Sequence, residues 1–350
     1  MSKTARGNFF EDFELGLEIV HATPRTITEG DVALYTALYG SRFAINSSDP
    51  FAMRLGLPQA PIDDWLVFHF VFGKTVPDIP LNAVANLGYA GGRFKERVYP
   101  GDTISAVSRV IGLKENSNGK TGVVYVNSTG INQTGETVLD YVRWVMVNKK
   151  DPSAPAPEPQ VPDLPKAVDA ADLVVPGEFG CNGYDVDLSG SAHLWDDYEV
   201  GEKIDHVDGI TMEEAEHMMA TRLYQNTARV HFNQVMQADS RFGKRLIYGG
   251  HIISLARAIT FNGLGNAVFI AALNGGAHTN PSFAGDTIFA WSEVLDKAEM
   301  AGREDVGALR LRTVATKDHP AGDFPHKGED GKYLPQVVLD LDYWVLMPRH

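Results

Sequence analysis

Two short stretches carry residues whose types and spacing could do acid–base chemistry. One reads Tyr224-Gln225-Asn226-Thr227-Ala228-Arg229-Val230-His231, and the next, shortly after it, reads Tyr248-Gly249-Gly250-His251 at the start of an apolar run. An imidazole on a loop can take or give a proton near neutral pH. A glycine opening a helix exposes a backbone N–H whose partial positive charge can hold an oxyanion. Addition of water to an α,β-unsaturated thioester needs both, because the carbonyl oxygen gains enolate character as the new bond forms. His231 is therefore the expected acid/base and Gly249 the expected oxyanion donor, with Gly250 as the alternative donor. Asn226 can only accept and donate hydrogen bonds, so its role is to orient the water. His251 serves either the pocket or the core.

The elements that must position these groups occur twice. Phe10 to Gly16 matches Trp195 to Gly201, with the glycines 185 positions apart, and Leu38-Tyr39 matches Leu223-Tyr224 at the same offset. Gly91-Gly92 and Gly101 to Ile104 match Gly275-Gly276 and Gly285 to Ile288 at an offset of 184. Val138-Leu139-Asp140 with Trp144 matches Val338-Leu339-Asp340 with Trp344. Matches in this order mark a tandem duplication. Thr28 to Asp31 and Thr211 to Glu214 each read as a capping-box-like helix start. The expected lobes are 1–150 and 193–350. A proline-rich linker over 151–192 joins them; its first part, 151–165, is made extended and stiff by prolines at 152, 155, 157, 159, 162 and 165, and the rest shows no clear periodicity.

Each half runs capped helix, loop, apolar helix, strands. Trp65 to Lys74 is apolar nearly all round, as suits a helix enclosed by protein. Ile252, Leu255, Ala256 and Ile259 follow the spacing of one buried helical face. Thr103–Ile111, Thr121–Gln133 and Val138–Val147 are rich in β-branched and aromatic residues and read as strands. The class is α+β, with an antiparallel sheet curled around a helix in each half. The stretch from about Lys317 to Pro335 reads as a surface insertion.

The duplication supplies its own control. Positions 185 before His231, Asn226 and Gly249 hold Asn46, Ser41 and Asp64, so the first half has neither the base nor the glycine. One site per chain is expected.

Composition narrows the partners. A net charge of −14 argues against nucleic acid, and the longest apolar stretches fall well short of a membrane span. The single Cys181 precludes an internal disulfide or multi-cysteine metal site, and the N-terminus shows no secretory pattern; a cytoplasmic protein is expected. No metal is expected. Glu213 and His217 have a metal-like spacing without a third ligand, and a solvated face is favoured there. Arg93, Lys95 and Arg97 read as a solvated strand face in preference to a CoA phosphate contact. A homodimer is expected, because sheets with free edges associate.

The catalytic loop resembles the signature of the MaoC-like, (R)-specific enoyl-CoA hydratases, Asp-x-Asn-Pro-x-His followed by His-Gly at a helix start. That resemblance implies a double hotdog fold whose degenerate first lobe helps to house the acyl group. Arg25–Tyr35, Asn86–Phe94, Arg222–His231 and His278–Asp286 are similar, more narrowly, to the mesaconyl-CoA (2-methylfumaryl-CoA) hydratases. This implies reversible hydration of mesaconyl-CoA to β-methylmalyl-CoA, with CoA as part of the acyl-CoA thioester substrate and no separate cofactor. The alternatives are a hydratase for unbranched enoyl-CoA, a thioesterase, or a non-catalytic acyl-CoA binding protein.

The sequence departs from the broader signature at two points. Its Asp is Asn226, which leaves His231 as the sole titrating group. Its Asn-Pro is Ala228-Arg229, and Arg229 is expected to clamp the free carboxylate of mesaconyl-CoA. Tyr224 and Gly250 are grouped with Arg229 as substrate-binding residues.

Overall fold

The structure, a computed structural model, describes residues 3–350. Among these, ten strands form one antiparallel sheet in the order β1-β3-β4-β5-β2-β7-β10-β9-β8-β6. The first lobe supplies β1 (Glu18–Thr26), β2 (Ala83–Phe94), β3 (Thr103–Glu115), β4 (Thr121–Ile131) and β5 (Thr137–Asn148). The second supplies β6 (Lys203–Thr211), β7 (Phe269–His278), β8 (Thr287–Met300), β9 (Arg303–Lys317) and β10 (Val337–Pro348). The second half of the order mirrors the first, as a duplicated sequence requires. The lobes join where β2 meets β7, with Tyr89 opposite Gly276 and Arg93 opposite Ala272.

Four helices matter: α1 (Glu29–Tyr39), α2 (Asp64–Lys74), α3 (Glu214–Leu223) and α4 (Gly249–Leu264). All eleven residues of α2 are buried, so its all-round apolar sequence is that of a helix wrapped by its own sheet. In α4 Ile252, Leu255, Ala256 and Ile259 are all buried. This is the double hotdog arrangement.

Pseudo-twofold partners touch at the seam. The hydroxyls of Tyr39 and Tyr224 lie 2.7 Å apart, and His69 Nε2 lies 2.8 Å from Ser254 Oγ; both pairs are separated by 185 residues. Each lobe also repeats its entry turn, where Asp12 and Asp197 accept the N–H of Phe9 and Leu194.

Three sequence expectations change. The α1 capping box at Thr28 and Asp31 forms, whereas α3 is preceded by Glu213 and has no side-chain cap. Thr211 instead bonds Thr287 across β6 and β8, and Glu214 pairs with Arg245. The interlobe stretch is more than a linker, for its proline-rich part bonds the first lobe through Gln160 and Leu113. Beyond it Val168, Leu173, Phe179 and Cys181 are buried against Phe43 and Phe51 of the first lobe. The 317–335 stretch is more than a surface insertion, since Ala321 and Phe324 pack on Trp291, whose indole donates to Pro325. Among the described residues no helix is long and apolar enough to cross a membrane.

Candidate active site

The loop from Gln225 to His231 begins where the two lobes are in tight contact. A Cβ at Gly73, near the end of α2, would lie 1.7 Å from the Tyr224 carbonyl oxygen, so only glycine admits the loop. Gln225 adopts a left-handed φ of 56°, and its side chain accepts from Lys74 Nζ at 2.6 Å. This turn delivers Asn226 into a cavity of about 350 Å³ between the lobes. Asn226, His231, Gly249 and His278 come from the second lobe, and Phe72, Asn86 and Tyr89 from the first.

His231 sits on a helical turn, Arg229–Phe232, and borders the cavity. Its Nδ1 lies 3.0 Å from the Leu246 carbonyl. A carbonyl only accepts, so Nδ1 carries the hydrogen and Nε2 the lone pair. Nε2 has no partner among the described residues. The surrounding protein desolvates the ring and lowers its pKa to about 4, which keeps it neutral at pH 7. Asn226 is buried; its Oδ1 accepts from Ala228 N–H at 3.3 Å, while Nδ2 is buried without a partner. An acceptor base and an unused amide donor thus border the same space.

Gly249 is the first residue of α4, where backbone N–H groups have no intrahelical acceptor. The chain just before it is pinned: Ile247 N–H donates to Ser282 O, and Tyr248 N–H to His217 Nε2, both at 2.9 Å. That bond explains His217, whose pKa desolvation holds down at about 2; no metal-ligating cluster forms among the described residues. A Cβ on Gly249 would fall 2.4 Å from the His278 ring, so His278 lies directly over this glycine.

The remaining three expected residues stand elsewhere. Tyr224 is buried, with its hydroxyl on Tyr39 and its ring stacked on His69 at 4.3 Å; it builds the lobe seam and does not line the cavity. Gly250 faces the Tyr248 ring and His69. Arg229 points away, with Nη1 donating to Asn82 at 2.5 Å and Nη2 to the Arg6 carbonyl at 3.4 Å. His251 belongs to the core, bonded to Tyr39.

The profile of the mesaconyl-CoA hydratase family matches residues 2–324. The chain is 69% identical over 348 residues to the β-methylmalyl-CoA dehydratase of Chloroflexus aurantiacus, covering 99% of each. It is 63% identical to the mesaconyl-CoA hydratase of Cereibacter sphaeroides, covering 99% of this chain and 100% of that one. The chain belongs to the mesaconyl-CoA hydratase family. A solved MaoC domain protein dehydratase from Chloroflexus aurantiacus superposes over the whole of both chains, with a TM-score of 0.98 at 68% identity. A Mycobacterium tuberculosis protein with a double hotdog fold shares the architecture at a TM-score of 0.75 and 24% identity.

Within this family member, His278, Asn86 and Ser282 are cavity residues that sequence reasoning did not assign. His278 Nε2 lies 3.3 Å from the Tyr89 hydroxyl, and its pKa falls to about 4 through desolvation and then the nearby His231. One sequence signal could have found it: 184 positions earlier the first lobe has Phe94, a buried aromatic packed on Trp65.

Proposed function

We propose that this family member catalyses the reversible hydration of mesaconyl-CoA to β-methylmalyl-CoA, with His231, Asn226 and Gly249 as its working groups. The observation that carries the residue assignment is the convergence of a neutral imidazole, fixed in one tautomer, and an unpaired helix-start amide on one interlobe cavity. Water lies between Asn226 Nδ2, which donates to its oxygen, and His231 Nε2, which accepts one of its protons. Its oxygen bonds to the β-carbon as that proton passes to Nε2. The π electrons move toward the thioester oxygen, where the Gly249 N–H meets the developing charge. His231 then returns the proton to the α-carbon, which restores the thioester and the neutral imidazole.

Acid–base catalysis of this kind contributes about 10² to 10⁴ in rate, and one oxyanion donor roughly 3 kcal/mol. The purified chain with mesaconyl-CoA should lose enoyl-thioester absorbance and yield a product heavier by one water. Turnover should fail to respond to His231→Ala if this assignment is wrong. The acid limb of kcat/KM should lie well below the 6.5 of a free imidazole, toward about 4, because protonation there removes the base.

A further inference from the structure

Unpaired buried polar atoms gather at the active cavity. Besides Asn226 Nδ2, they are both amide atoms of Asn86, His278 Nδ1 and Ser282 Oγ. The last three residues come from elements that part at one place. The β2–β7 ladder ends at Tyr89 and Gly276, and beyond it Asn86 and His278 follow on the two separating strands. A bulge in β2 between Asn86 and Gly88 breaks the alternation against β5, the kind of irregularity that re-aims a side chain. Ser282 follows on the loop from β7, held by the Ile247 bond to its carbonyl.

The chemistry of this wall selects its ligand. Among the described residues no Asp or Glu lines the cavity, so an anion meets no like charge, and no Lys or Arg lines it either. Asn86 Nδ2 and Ser282 Oγ are neutral donors. His278 becomes a third if Tyr89 donates to Nε2, which places the imidazole hydrogen on Nδ1. A hydrocarbon acyl group would displace water and leave all three unmet, a penalty by which polar sites reject apolar analogues. A carboxylate offers two acceptor oxygens.

We infer that Asn86, His278 and Ser282 form the specificity-determining wall that receives a carboxylate carried on the β-carbon of the acyl-CoA. The inference rests on the proposed hydration of mesaconyl-CoA and gives these side chains the task expected of Arg229, whose guanidinium is engaged by Asn82 and Arg6. The acyl group is then gripped at both ends, by the Gly249 amide at the thioester and by the wall at the carboxylate.

The test is calorimetric binding of two unreactive thioesters, methylsuccinyl-CoA and 2-methylbutyryl-CoA, which differ by a carboxylate in place of a methyl. The unaltered chain should favour methylsuccinyl-CoA by about 100-fold, and Ser282→Ala should cut the ratio about 10-fold, as loss of one bond to a charged group predicts. Asn86→Asp, nearly isosteric, should abolish the preference by placing like charges together. Equal affinities in the unaltered chain, or a ratio unmoved by both substitutions, would overturn the inference. Mesaconyl-CoA turnover is measured alongside. Hydration with an unmoved ratio sinks the wall alone, whereas a substitution-sensitive ratio without hydration keeps the wall and sinks the proposed reaction.

Discussion

The two lobes hold the same loop in the same place and do opposite things with it. In the second lobe His231 Nδ1 donates to the Leu246 carbonyl at 3.0 Å; 185 positions earlier Asn46 Nδ2 donates to the Pro61 carbonyl at 2.9 Å. The scaffolding bond is kept, and the imidazole proposed as the base is gone. Gly249 corresponds to Asp64, which pairs with Arg97 at 2.6 Å and accepts Ile270 N–H at 2.8 Å. The Asp64 carboxylate is consumed in a buried ion pair. Burial pushes its pKa up to about 6 against the pull of Arg97. Where the second lobe keeps a cavity, the first has Phe43, Ile45 and Phe51 packed together with Phe179 of the interlobe stretch. Retaining a fold and retaining a reaction thus place separate demands on one loop.

If that division holds, damage to the two sites should be felt in different measurements. His231→Asn copies the first lobe into the second. It should lower kcat by about 10² to 10⁴, yet change unfolding free energy by less than about 1 kcal/mol, within the range of a kept hydrogen bond. Steady-state rates and urea melts on the same preparation decide it, and a large stability loss would contradict the equivalence of the two bonds. Arg97→Met does the converse. It strands a buried carboxylate, a change that typically costs about 3–5 kcal/mol, while leaving every cavity side chain in place. The double substitution with Asp64→Leu should recover much of that loss. A fall in kcat with intact stability would mean that the first site still serves the reaction.

The duplication, both central helices, three strands and the convergence of His231, Asn226 and Gly249 were legible because they depend on periodicity, spacing and residue type. The neighbours of those residues were not. Arg229 and His231 share one helical turn, and residues two apart on a helix do not face the same way. A short distance in sequence therefore sent Arg229 to Asn82 instead of the substrate. Tyr224 ends α3 facing its duplicate Tyr39 across the seam, where their hydroxyls bond. Asn86 and Ser282 lie in stretches that carry the family resemblance, but neither residue type at that place points to a chemical role. Their role arises only where strands from different lobes separate, which no single-segment pattern encodes.

Acid should also discriminate the lobes. Desolvation depresses His206, His231 and His278 to about 4 and His251 to about 3, all in the second lobe, with His217 lower still. The first lobe has only His21 and His69 so affected among the described residues. Their folded values lie below the unfolded 6.5, so between the two the unfolded chain binds more protons. Stability is whole above about 6.5 and is lost as pH falls, by up to about 1.4 kcal/mol per pH unit for each such group. Hydrogen exchange between pH 7 and 5 should show amides of α3 and α4 losing protection before those of α1 and α2. Uniform loss would make the sheet, not the lobe, the unit that opens.

The smallest expected effect is the most exacting for the comparison. Asn46→His returns the missing imidazole to the first lobe, where its Nδ1 can take over the bond to the Pro61 carbonyl. Placed in the His231→Asn background, it should restore less than about twofold of the lost rate. The reason is physical: a base contributes only when a substrate reaches it with an oxyanion donor opposite. Here aromatic side chains fill the space, and the helix start presents the Asp64 carboxylate, paired with Arg97, in place of a bare glycine. Stability should shift little, since one polar side chain replaces another on the same acceptor. Recovery of tenfold or more would show that the first lobe lost only its base, and that packing and the ion pair were not what silenced it.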